Sequence, residues 1–167
     1  APAPQTARIA AACPEIAEPA ATAEVDPCWT VMAAWADDSG GSDLRTAAPF
    51  AAIHRSSAKP GRMAAPEAWV GHATATWSVT HLEAERDEAL TALLPPLADA
   101  VGRAEAPLYA TAHRWRFARV RRPVGAPVLR SGPVFAAGDW VAGGEAAGAR
   151  ESGLAAAAAI LALRAAG

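Results

Sequence analysis

Thiol, metal and phosphate chemistry are each poorly provided for in this sequence. It has two cysteines, Cys13 and Cys28, with no histidine beside either, so neither a disulfide framework nor a thiolate metal site is indicated. Two free thiols of an intracellular protein are expected. The four histidines, His54, His72, His81 and His113, are too scattered for metal-ligand spacing, so no metal is expected. There is no GxSxG elbow and no phosphate-loop motif, and neither cysteine has an obvious base partner, so nucleophilic catalysis finds little support. Lysine is almost absent, with Lys59 alone, and the net charge is −2, which gives no push toward nucleic acid or an anionic membrane. The longest apolar run, Leu154 to Leu163, is too short to span a bilayer, and no basic-then-apolar leader opens the chain. A soluble cytoplasmic protein is the expectation.

What is present suffices for a core: 52% of residues are hydrophobic, although alanine, which buries little area per residue, supplies much of this. The length suits one domain or parts of two. Residues 4–24, rich in Ala and Glu, read as two short helices broken around Pro14 and Pro19. From Val25 the pattern changes to strands. Trp29, Val31, Ala33 and Trp35 alternate with Cys28, Thr30, Met32 and Ala34, which predicts a strand buried on both faces or nearly so. Residues 37–42 (DDSGGS) read as a turn or loop. A second strand is predicted over 50–55, a loop through Pro60-Gly61 over 56–62, and a third strand over 67–75 with Trp69 and His72 on opposite faces. Leu82, Leu90, Leu93, Leu94 and Leu97 recur at helical intervals within 77–101, a helix that Pro95-Pro96 must break or kink. A fourth strand covers 109–120, and 121–132 is a loop with two prolines. Residues 25–132 thus read as an α+β domain with an antiparallel or mixed sheet, and 1–24 with 133–167 as parts of a separate α/β layer.

The most informative stretch runs from Gly138 to Gly153, GDWVAGGEAAGARESG. Val134-Phe135 precede it as a strand, and about twenty small and apolar residues follow, ending near Arg164. The order predicts strand, turn, helix. Asp139 then lies at the strand's end, near a helix start whose unpaired N–H groups favour phosphates, carboxylates or an electron-rich ring oxygen. Gly148 with Ser152, and Ala149 with Gly153, pave one helix face with small residues, so that another backbone or a flat ring can come close. The plainer reading is a common turn before an Ala-rich packing helix.

This stretch resembles the C-terminal flavin-binding motif of the FAD-dependent amine oxidase superfamily, most nearly its renalase-like branch. Gly138, Asp139, Trp140, Gly143, Gly144, Gly148, Ala149, Ser152 and Gly153 all fit. Three earlier blocks fall in the same order: RSSAKPGR (55–62), WVGHATATWSVTHLE (69–83) and HRWRFAR (113–119). The opening Ala-Pro-Ala-Pro-Gln is similar to the end of a buried strand in those proteins. The resemblance implies the C-terminal half of a two-domain FAD/NAD(P)-binding fold: a connector over 1–24, a substrate-binding domain over 25–132, and a strand-turn-helix of the Rossmann-like FAD domain over 133–167.

By the same resemblance, Gly138, Asp139, Trp140, Ala147, Gly148 and Ala149 would contact FAD, with Asp139 bonding its ribityl or pyrophosphate region. Arg55, His72, Arg114 and Trp115 would line the substrate site. The plainer readings are a basic surface turn for Arg55, a structural hydrogen-bonder for His72, and an amphipathic edge strand for Arg114 and Trp115. The flavin would carry the chemistry, taking a hydride from a dihydronicotinamide dinucleotide or an amine and passing electrons to oxygen, with no catalytic side chain of its own required. The sequence departs from the family in lacking GxGxxG, in Ser56 and Ala58 within the basic loop, and in Glu145-Ala146-Ala147 where the family has Arg-Val-Glu. Two other readings therefore stand beside the enzyme: a non-catalytic remnant or interaction module, and a subunit completed by a separate N-terminal FAD-binding half.

Overall fold

The computed structural model describes residues 1–37 and 44–165. Most of the DDSGGS turn expected at 37–42 lies outside the described residues. In chain order the elements are α1 (Ala3–Ile9), α2 (Pro14–Thr22), β1 (Glu24–Trp35), β2 (Leu44–Arg45), β3 (Phe50–Arg55), β4 (Glu67–Ala73), α3 (Ala75–Thr80), α4 (Arg86–Val101), β5 (Tyr109–Arg122), β6 (Leu129–Ser131), β7 (Val134–Ala136), α5 (Asp139–Ala142) and α6 (Ala146–Ala165). The fold is α+β. Five strands form one sheet in the order β2-β3-β4-β1-β5, and β6 with β7 forms a hairpin. The β1–β4, β2–β3, β3–β4 and β6–β7 ladders are antiparallel.

The chain divides into two compact units, Ala1–Asp26 with Phe117–Gly167, and Pro27–Arg116. The divisions fall inside β1 and β5, whereas changes in composition along the sequence suggested 24 and 132. A strand that continues from one unit into the next carries no turn residues to mark the change.

The Pro27–Arg116 unit is built on one face of its sheet. Trp29, Val31, Ala33 and Trp35 of β1, Ile53 of β3 and Trp69 of β4 form a core with Ala89, Leu93, Leu97 and Val101 of α4. Gly71 of β4 has no side chain because a Cβ there would lie 2.8 Å from the Phe50 ring. The expected helix over 77–101 is two helices separated by residues 81–85. Thr74 caps the first by accepting from the Trp77 N–H at 3.2 Å. Beyond its end, the His81 carbonyl accepts from the Trp29 indole at 2.8 Å.

Of the expected break or kink at Pro95 and Pro96, there is no break: α4 continues as one helix through both. Each proline removes one donor, and the carbonyls freed are those of Thr91 and Ala92, both exposed and open to water. Gly102, in the left-handed region at φ 75°, ends the helix. Pro19 likewise sits inside α2 instead of ending it, while Pro14 occupies that helix's first turn.

The other unit has a smaller core of Ala3, Ile16, Ala20, Leu129, Trp140 and Val141. The expected loop over 121–132 contains β6, which pairs with β7 through a tight turn at Gly132 (φ 56°). α6 is 20 residues long, and by length and composition alone it is long and apolar enough to cross a membrane. Ala146, Ala147 and Ala149, before Arg150, extend the apolar stretch beyond the Leu154–Leu163 run. Only Gly148 and Ser152 of this helix are buried.

Candidate functional site

In the first unit a pocket of about 310 Å³ opens where α5 begins, lined by Pro2, Val25, Val120, Gly138, Asp139 and Ala149 among others. Trp140 fixes its floor. The indole is 2% exposed and donates to the Ala1 carbonyl at 3.1 Å. The same ring explains the preceding glycine, since a Cβ on Gly138 would meet the indole nitrogen at 3.0 Å. The backbone of α5 is pinned from the other side, where the Val124 N–H donates to the Trp140 carbonyl at 2.8 Å and the Gly125 N–H to that of Val141 at 2.9 Å.

Asp139 starts a single helical turn, where the sequence suggested that it ended a strand. One oxygen, Oδ1, accepts from the Trp140 N–H at 2.8 Å. Its carbonyl accepts from Gly143 and Gly144 at 3.1 and 2.7 Å, which closes the turn before α6. Gly144 is in the left-handed region at φ 77°, where glycine alone is unstrained. Among the described residues no hydrogen bond is made to Asp139 Oδ2, which leaves an acceptor at the pocket.

α6 holds this turn through its small residues. A Cβ on Gly148 would lie 2.6 Å from the Gly143 nitrogen, so the two backbones touch. The Ser152 hydroxyl, fully buried, accepts from the Gly138 N–H at 3.2 Å. Of the two partners suggested for this paved face, a backbone or a flat ring, the Gly148 end meets a backbone. Ala146, Ala147 and Ala149 are exposed, so the first turn of α6 is not covered by side chains of this unit.

Of the six predicted cofactor residues, Gly138, Asp139, Trp140 and Ala149 therefore line one pocket. Gly148 lies against Gly143, and Ala147 is on the exposed start of α6 without lining the pocket. Sequence reading left out Pro2, Val25 and Val120, which come to the pocket from distant elements and carry no motif.

The four predicted substrate residues all belong to the Pro27–Arg116 unit and divide between the faces of its sheet. His72 and Trp115 lie on the face away from α4. The Nδ1 atom of His72 is 3.0 Å from the Thr30 hydroxyl, and its ring meets His54 edge-on with centroids 5.8 Å apart. Burial lowers the His72 pKa, and the charges of His54 and Lys59 lower it further. Trp115 is about half exposed (53%) and packs edge-on against His113 at 4.4 Å.

Arg55 and Arg114 lie on the other face. Arg55 Nη1 is 3.7 Å from the fully buried Glu67, which also pairs with Arg103. The Arg103 guanidinium is held above its usual pKa by its hydrogen bond to Glu67. Arg114 stacks 5.8 Å over the Trp29 ring and donates to the Leu82 carbonyl. Arg116 grips Glu83 with two bonds of 2.8 Å, and this holds the carboxyl below its usual pKa. Thr30 and His54 escaped the sequence reading, although the alternation that put His72 opposite Trp69 could have found them once the strand register was known.

Residues 24–161 match the family model of flavin containing amine oxidoreductases. Among solved structures, the chain is similar to a protein assigned as a protoporphyrinogen oxidase from Exiguobacterium sp. 255-15. The two are 18% identical with a TM-score of 0.56, over 76% of this chain and 30% of that one. At this identity the likeness is one of fold, and the chain spans about 30% of that protein's length.

Proposed function

The chain belongs to the flavin-containing amine oxidoreductase family, and on that premise we propose that it is the C-terminal portion of a renalase-like, FAD-dependent oxidoreductase acting on a dihydronicotinamide dinucleotide or an amine. The observation that carries this reading is the Gly138–Asp139 pocket. It offers a free carboxylate oxygen, a stretch of wall without a side chain at Gly138, and a small lining residue at Ala149. These residues fit a polyol or phosphate segment of FAD. Its volume of about 310 Å³ is near the lower bound of small-molecule sites, ~300–1,000 Å³, so the pocket suits part of the dinucleotide.

Asp139 Oδ2 would accept from a hydroxyl of the cofactor, and the exposed start of α6 would present N–H groups to an electron-rich edge. Flavin, when bound, supplies the acceptor for a hydride from a substrate carbon, with oxygen taking the electrons onward. In this reading the Pro27–Arg116 unit contributes the substrate-binding residues, and a dinucleotide-binding half supplies the remainder of the cofactor site. The absence of GxGxxG among these 167 residues and the small coverage of the structural relative support that division of labour.

The test is titration of FAD into the purified chain, followed by flavin absorbance and fluorescence. Saturable binding is expected, weakened roughly tenfold in Asp139→Ala through loss of one charge-assisted hydrogen bond. Equal affinity in the variant would rule out the pocket as the cofactor site. No bound flavin at any concentration would favour the non-catalytic remnant.

A further inference from the structure

The basic loop RSSAKPGR (55–62) takes no part in the Gly138 pocket, yet its backbone is firmly built. Ser56 and Ser57 are buried, and their N–H groups donate to the Ala68 carbonyl at 2.6 and 3.4 Å. The Lys59 N–H donates to the Ser56 carbonyl at 3.3 Å, and the Arg62 N–H to that of Lys59 at 3.1 Å. The Arg62 guanidinium reaches back to the Ser56 hydroxyl. Gly61, in the left-handed region at φ 79°, permits the reversal. Lys59 is thus carried on a fixed turn.

This turn walls a pocket of about 320 Å³ in the Pro27–Arg116 unit, lined by Leu44, His54, Arg55, Ala58, Lys59 and Pro60. Leu44 and His54 are partners across β2 and β3, so their side chains stand on one face of the sheet. Among the described residues no carboxylate lines the pocket. Arg55 is already engaged, with its Nη1 3.7 Å from the buried Glu67. Lys59 and His54 are open. Among the described residues no hydrogen bond or ion pair holds the Lys59 ammonium or the His54 ring, which has His72 as an edge-on neighbour.

The two open groups set the chemistry of the ligand. An ammonium is a point charge with three donors in no fixed plane, and a neutral imidazole adds one N–H. A carboxylate is matched best by the planar fork of an arginine, and the fork at this pocket is taken by Glu67. A phosphoryl group offers three strong acceptor oxygens to donors that arrive from different directions. The remaining lining is apolar: Leu44, which is 55% exposed, Ala58 and Pro60. The volume therefore exceeds what an ion alone would use, and it lies at the small end of ligand sites, ~300–1,000 Å³.

We propose that this pocket binds a small phosphate monoester, with its phosphoryl oxygens on Lys59 and His54 and its apolar body on Leu44, Ala58 and Pro60. The site does not depend on the flavin reading, which rests on residues of the other unit.

Three probes test this: phenyl phosphate, inorganic phosphate and benzoate, each titrated into the whole chain without flavin while the histidine ring signals are followed by NMR. Phenyl phosphate should shift the His54 signals saturably and leave those of His113 in place. Inorganic phosphate lacks the apolar body and benzoate lacks the phosphoryl group, so each should bind about tenfold more weakly. Lys59→Met keeps the length of the side chain and removes its charge, and should weaken phenyl phosphate by about tenfold or more. Lys59 is exposed, so this variant should fold, which an unchanged amide spectrum would verify. Lys59→Arg should restore most of the affinity. Inorganic phosphate binding as tightly as phenyl phosphate would overturn the proposal in favour of an adventitious ion only. Benzoate binding as tightly as phenyl phosphate, an unresponsive His54, or indifference to Lys59→Met would each overturn it too.

Discussion

The two long helices of this chain are stabilised in opposite ways. α4 buries a stripe at Ala89, Leu93, Leu97 and Val101 against three tryptophans and carries two prolines without breaking. α6 is longer and more apolar, yet it buries only Gly148 and Ser152, leaving Leu154, Ile160, Leu161 and Leu163 exposed. Helix stability in proteins comes mainly from packing an apolar face, so α4 is fixed along its length and α6 only at its first turns. In α4 large side chains do the work. In α6 it is their absence that matters, because close backbone approach holds the candidate cofactor turn.

The sharpest way to break this contrast is to remove one leucine from each helix. Leu93→Ala should cost about 2–5 kcal/mol, the range for deleting a buried leucine. Leu161→Ala, at 65% exposure, should change stability by less than about 0.5 kcal/mol. Urea unfolding followed by tryptophan fluorescence measures both. A large loss at Leu161 would mean that the distal half of α6 is covered in solution.

Within α6 the same contrast can be sharpened with one substitution made twice. Gly148→Ala puts a methyl 2.6 Å from the Gly143 nitrogen and should cost about 1–3 kcal/mol, typical of overpacking. It should also weaken FAD binding by displacing the turn that carries Asp139. Gly153→Ala meets nothing within 4 Å and should stabilise by up to about 1 kcal/mol, the helix preference of alanine over glycine. Opposite signs five residues apart would locate the part of α6 that packs.

The strands and the two helix faces were legible because alternation and helical spacing are local. The Trp29–Trp35 parity gave β1, and the leucine spacing gave the core face of α4. The motif around Gly138 likewise gave four of the lining residues of one pocket. What could not be read was set by partners distant in sequence. The prolines of α4 looked like breaks because nothing local shows that the freed carbonyls of Thr91 and Ala92 face solvent. β7 was expected from Val134-Phe135, but its partner β6 was missed because it has only three residues, too few to show a period. Arg55 carried a suggestive motif, but its pairing with buried Glu67 depends on the β3–β4 register.

The smallest expected effect compares the two units by acidification. His72, in the α4-bearing unit, has a pKa below the ordinary ~6.5 of histidine. The unfolded chain therefore takes up this proton before the folded one does. The resulting stability is fully present above pH ~6.5 and is lost as the pH falls from there through the folded pKa. In the other unit, Glu15 is held below its usual pKa by the Ser131 hydroxyl, so its contribution is kept until the pH enters the carboxylate range. Hydrogen exchange measured between pH 7 and 5.5 should show protection of β1 and β4 amides within residues 27–116 falling as the pH is lowered, with no matching fall in the other unit. His72→Gln should abolish that local loss while leaving the exchange of α2 and β6 unchanged. A loss of equal size in α2 and β6, or one that persists in His72→Gln, would show that the polar face around His72 is not what distinguishes the two units at mild acidity.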